Sequence, residues 1–187
     1  MKRLAAGVVV ALVCIIGGVY AYFLGGFAPV ATASRPMLFE KKLAKMALNA
    51  KLREEMPRTV PVEANEANYL AGAREYLTNC AVCHGVPGKE KTAIAREEFP
   101  IPPELFHGKG VTDDPPAETF WKVANGIRLT GMPSFNQSLS DTQMWQISLM
   151  LANADKLPGS VIAVLAGQSD APMPTPAAAA HHPTATK

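Results

Sequence analysis

Cys80-Ala81-Val82-Cys83-His84 is the stretch whose reading decides the rest of this chain. Two thiols separated by two residues can reach the two vinyl groups on one edge of a porphyrin. The histidine that follows is then carried beneath the ring, where its imidazole can ligate iron. C-x-x-C-H is therefore the attachment pattern of a covalent haem, haem c. Two other chemistries use parts of it. A dithiol redox pair has C-x-x-C but needs a βαβ setting, and the residues before Cys80 carry no strand alternation. A tetrahedral zinc site needs a fourth ligand, for which His107 is available, and usually a second cysteine pair. An N-terminal segment that places the motif outside a membrane favours haem over both.

A low-spin electron-transfer iron takes a second axial ligand, and a thioether suits it. There are eight methionines. Met132 sits in Asn125-Gly-Ile-Arg-Leu-Thr-Gly-Met-Pro-Ser-Phe135, a loop punctuated by Gly and Pro between two helical patterns. Gly131 lets the backbone approach a ring closely, and Pro133 fixes the chain after it. Met144 and Met150 fall on a helical pattern and read as core, Met37, Met46 and Met56 precede the domain, and Met173 is in the tail. His84 and Met132 are thus the expected iron ligands.

Around the motif the apolar spacing is helical. Asn68 to Asn79 carries a stripe of Leu70, Ala73, Tyr76 and Leu77. Pro116 to Gly126 carries Phe120, Trp121, Val123 and Ala124. Ser140 to Ala154 begins with Ser140 and Gln143 spaced as a capping box, and its inward face reads Met144, Ile147, Met150 and Leu151. The expectation is an all-α fold: three main helices and loops around one haem, preceded by a transmembrane helix. The haem supplies the apolar centre that a domain of this size builds poorly alone.

The flanks divide the chain into four segments. Residues 1–34 begin Met1-Lys2-Arg3 and then carry no charge from Leu4 to Ser34. Leu4 to Phe27 reads as one apolar helix of roughly 36 Å, against about 30 Å of bilayer hydrocarbon. Lys2 and Arg3 keep its start inside, so the haem domain lies outside, on the periplasmic side of a cell membrane. The rival readings are a cleaved signal peptide and a lipoprotein signal acylated at Cys14, which bulky Val13 fits poorly. Residues 35–65 form a stalk. Within it Leu38 to Met56 has helical spacing interspersed with Lys41, Lys42, Lys45 and Lys51, as a helix on lipid headgroups or a solvated stalk would have. Residues 66–156 are the domain, with 8 Lys/Arg and 11 Asp/Glu. Residues 157–187 are Pro/Ala-rich and read as a disordered tail, in which His181-His182 carries no clear metal site. The net charge of +2 argues against nucleic acid as a partner.

Over residues 66–156 the sequence resembles the class I cytochromes c. That family's first helix has a glycine, an aromatic four residues on and the first haem cysteine four after that, as Gly72, Tyr76 and Cys80 stand here. Its last helix often reads L-S-D-x-x-x-W-x-x-x-x-Y-L. Here Leu139-Ser-Asp precedes Trp145, with Met150 where an aromatic is usual. The resemblance implies that Pro103 offers its carbonyl to the Nδ1–H of His84, with Leu105 against the haem and Pro102 as rival for that role. It makes Trp121 and Arg128 candidates to hold a haem propionate, beside the plain alternatives of a core tryptophan and a solvated arginine. The implied activity is one-electron transfer with redox proteins as partners, with no enzyme chemistry and no small-molecule substrate. Three classes stay open: a tethered shuttle in a respiratory-type chain, an electron-transfer subunit of a larger membrane dehydrogenase or oxidase, and a haem-based sensor.

Overall fold

The computed structural model describes residues 1–106 and 114–167. The described residues form helices and connecting loops without a strand, so the fold is all-α as expected. The chain divides into two compact units, Met1–Lys45 and Met46–Lys187.

The first unit holds α1 (Lys2–Leu24), a helix without a buried residue. It ends three residues earlier than the apolar run suggests. Gly25 closes it, Gly26 takes a positive φ of 72°, and Phe27 turns back to stack on Tyr22 at 6.2 Å between ring centres. Its 23 residues reach about 34 Å. α2 (Glu40–Glu55) starts in this unit and ends in the second. Its C-terminal turns do not behave as a free stalk. Leu52 is buried, and Glu55 accepts a hydrogen bond from the Trp121 indole N–H at 3.2 Å.

The second unit is built on a helix crossing. α3 (Glu66–Asn79) is capped by Asn65, whose side chain accepts from Asn68 N at 3.0 Å. α7 (Asp141–Ala152) starts with a complete capping box between Ser140 and Gln143, which satisfies two end donors reciprocally. The two cross where Gly72 lies against the Gln146 backbone carbonyl, and a Cβ on Gly72 would overlap that carbonyl. Gln146 Nε2 donates to Asn68 Oδ1 at 3.0 Å on one side of the crossing. Gln143 Nε2 donates to Glu75 Oε1 at 2.7 Å on the other. Above α7, α6 (Pro116–Asn125) begins with proline at its first position, where no amide partner is lost. Phe120 of α6 stacks on Trp145 of α7, centroids 4.2 Å apart and planes 13° from parallel. The buried face of α7 is wider than the expected four residues for this reason: Trp145 and Leu149 are buried as well.

Three further helices have no counterpart in the apolar periodicity. α4 (Ala81–His84) and α5 (Ala93–Glu97) are too short to show a period. α8 (Gly159–Leu165) corrects the expectation of a disordered tail from residue 157. Leu157, Val161, Val164 and Leu165 are buried in the same core cluster as Met150, and Ser160 hydrogen-bonds Glu66. Pro158 and the alanine-rich composition beyond it hid a one-faced apolar helix. Met150, where an aromatic was expected, is itself fully buried; an unbranched thioether fills such irregular space well. His107, His181, His182 and Met173 lie outside the described residues.

Candidate haem site

Cys80 is both the C-cap of α3 and the N-cap of α4, so the first thiol stands at a fixed helix end. The single turn of α4 then carries Cys83 and His84, with Cys83 N and His84 N both donating to Cys80 O at 3.1 and 2.9 Å. Gly85 ends the turn at φ 73°. Tyr76, fully buried and edge-on to Phe106 at 5.1 Å, donates its hydroxyl to Gly85 O at 2.7 Å and so ties the end of the motif back to α3. Burial, and then the thiol of Cys80, raises the Tyr76 phenol well above its usual range.

The thiols are free and protonated at neutral pH. Burial first, then the nearby Cys83 and Glu75, pushes Cys80 up to about 12. Partial burial and the Glu98 carboxylate raise Cys83 too. A redox dithiol requires the opposite, a depressed thiol. Among the described residues no three His, Cys, Asp or Glu side chains converge as metal ligands, so Cys80, Cys83 and His84 do not form a zinc corner.

His84 Nδ1 lies 2.9 Å from Pro103 O. A carbonyl only accepts, so Nδ1 carries the proton and Nε2 is left with its lone pair for iron. Burial lowers the basicity of the ring, the Pro103 carbonyl and Glu98 act against that, and Lys91 adds to the lowering. Of the two prolines weighed, Pro102 turns its carbonyl to Lys91 Nζ at 3.1 Å. Leu105, two residues after Pro103, is half-buried against the core.

Met132 is fixed by its own loop. Gly126 ends α6 at φ 67°, and a Cβ there would meet the Ser134, Pro133 and Met132 backbone at 2.6 to 2.9 Å. Ile127 N donates to Met132 O at 3.1 Å, Met132 N to Thr130 Oγ1 at 3.1 Å, and Phe135 N back to Val123 O at 3.0 Å. The loop thereby folds onto the end of α6, and Met132 packs, half-buried, against the core.

Trp121 is half-buried and donates its indole N–H to Glu55. Arg128 is exposed, with no hydrogen bond or ion pair to a described residue. Glu98 was not singled out in the sequence. Its carboxyl hydrogen-bonds Cys83 and also fills the position a Cβ on Gly131 would take, while its Oε2 is buried without a partner. Cys83 and the Gly131 backbone of the methionine loop thus flank one carboxyl whose Oε2 has no partner. The donor set of two thiols, an oriented imidazole and a thioether, with an unsatisfied polar atom between them, fits a haem c.

Residues 67–149 match the family described as cytochrome C oxidase, cbb3-type, subunit III. A chain of the Kuenenia stuttgartiensis reducing HAO-like protein complex is similar at 26% identity and a TM-score of 0.45, covering 56% of this chain and 54% of its own length. This chain therefore spans about half of that relative. No curated protein matches significantly. The attachment motif and the all-helical fold around it agree with the family match over residues 67–149, and together they support a c-type cytochrome, with haem c binding and electron transfer in general.

Proposed function

We propose that the protein is a membrane-tethered one-electron carrier with a single haem c, acting on the periplasmic side in a respiratory-type chain. The observation that carries this reading is the C-x-x-C-H turn, whose His84 is oriented by Pro103 and keeps Nε2 free; a methionine loop folded onto the end of α6 supports it. Cys80 and Cys83 would hold the haem from the junction of α3 and α4, Leu105 would pack against it, and His84 and Met132 would ligate its iron. With two protein ligands on the iron, the chain would need only redox proteins as partners. The haem supplies the Fe(III)/Fe(II) couple, and His/Met ligation raises its potential. α1 is long and apolar enough to cross a bilayer and anchors the chain. The exposed Leu43 and Met46 of α2, flanked by Lys42 and Lys45, lie on anionic headgroups.

Acid–acetone extraction tests the core of this reading. Haem should remain on the polypeptide, and freely extracted haem overturns it. A second reading is favoured by the family match, whose description names an oxidase subunit: the chain is an electron-transfer subunit of a larger membrane enzyme. Purification in mild detergent separates the two. A stoichiometric partner identifies the subunit, and a lone chain with salt-dependent electron exchange identifies the carrier.

A further inference from the structure

Pro102 and Pro103 have no amide hydrogens, so the segment that offers its carbonyl to His84 cannot anchor itself through its own donors. An outside donor does this. The Lys91 ammonium donates to Pro102 O at 3.1 Å and stands 3.8 Å from Glu104 Oε1, so it holds both neighbours of Pro103. Its side chain is only 24% exposed, against 52% for Glu104. The backbone that carries Lys91 is fixed in turn. Arg96 Nη1 donates to Lys91 O at 2.9 Å. Thr92 Oγ1 donates to Val82 O at 2.6 Å and accepts from Ala95 N at 3.1 Å. Val82 lies between the two haem cysteines on α4. One frame therefore runs from the attachment turn through Thr92 and Lys91 to the carbonyl facing the imidazole, and His84, Lys91 and Glu104 line one small pocket beside it.

We propose that Lys91 is a positioning residue for the proximal histidine: its ammonium clamps Pro102 and Glu104 so that the Pro103 carbonyl stays aligned on His84 Nδ1. The inference rests on the reading of His84 as an iron ligand. A well-held Nδ1–H bond makes the imidazole a stronger donor to the metal and favours the oxidised state. Losing the clamp weakens that bond and shifts the couple toward the reduced state. Losing a nearby positive charge alone does the reverse, because a cation opposes the more positive oxidised iron. The sign of the potential shift therefore separates positioning from simple electrostatics.

The test uses the full haem-loaded chain in detergent, with Lys91→Met and Lys91→Ala removing the donor and Lys91→Arg and Lys91→Gln retaining one. Proton NMR of the reduced protein reads exchange of the His84 Nδ1–H, and a redox titration reads the potential. The Met and Ala variants should exchange this proton about tenfold faster, the equivalent of about 1.4 kcal/mol. Core amides of α7 should keep their protection and the potential should move upward. Arg should stay near wild type in both readouts, and Gln, which keeps a donor but not the charge, should keep the wild-type exchange rate. Unchanged Nδ1–H exchange in Met and Ala overturns the proposal, as does a downward potential with unchanged exchange, the mark of charge alone. Wild-type protein that carries no covalent haem overturns the underlying reading, and the clamp with it.

Discussion

Tyr76 joins the electrostatics of the site to its stability. Its phenol is raised from 10.0 by burial, so the folded chain holds the proton more tightly than the unfolded one. The stabilisation is complete below pH 10, and stability falls as pH rises past that value, because the unfolded state then loses a proton that the folded state keeps. Tyr76→Phe should flatten this alkaline decline. At neutral pH it should cost about 1 kcal/mol, since Gly85 O loses its donor. Urea melts of both proteins at neutral and alkaline pH check both halves. Met132→Ala should abolish the weak far-red iron–thioether band of the oxidised protein and lower the potential. Persistence of that band moves the axial ligand to another methionine. The candidate chemistry-bearing residues were singled out by type and spacing: Cys80, Cys83 and His84 by the motif, Met132 by the Gly/Pro punctuation of its loop. Glu98 and Lys91 were not, since their contacts with Cys83 and Pro102 reach across 15 and 11 residues of chain that no periodicity encodes. The pairing of Trp121 with Glu55 was hidden because Glu55 lies in a segment read as stalk.

At the scale of elements, the crossing of α3 and α7 holds the domain. Gly72→Ala sets two effects against each other. Alanine gains about 1 kcal/mol of helix propensity. Against it stands overlap with the Gln146 carbonyl, a backbone atom inside α7 that cannot swing away. Overpacking of this kind costs about 1–3 kcal/mol and forces the helices apart, so the net effect is destabilising. The melting temperature of the haem-loaded protein should fall by at least about 4 °C per kcal/mol lost. An unchanged value shows that the crossing yields. Ser140→Ala, which opens the capping box, should cost about 1 kcal/mol in the same measurement. α1, α3, α6 and α7 were readable to within three residues of their ends, because a long one-sided stripe between caps leaves few alternatives. α4 and α5 are shorter than the window on which such a pattern depends. α8 was hidden by proline and alanine, whose composition resembles a linker even where three of seven residues are buried.

For the molecule as a whole, the charges divide with the units. The domain carries 8 basic and 11 acidic residues, while the chain as a whole is +2, so the positive excess lies outside the domain. Intact-mass measurement on membrane fractions should return a mature chain that retains α1 and carries one haem. A soluble mature protein starting after residue 25 removes the anchor and turns a confined carrier into a diffusing one. The fold also sets an order of events. The hydrogen bonds at the α3–α7 crossing join residues 68 and 78 positions apart. A chain delivered from its N-terminus presents Cys80, Cys83 and His84 well before the residues of α7 have emerged. During that interval α3 has no partner at Gly72 and both thiols are open to whatever machinery adds them to the porphyrin. Arrival of α7 ends the interval by burying Tyr76 and closing the core behind Cys80. Biogenesis thus has a clock, set by the length of chain between the first helix of the domain and the helix that crosses it.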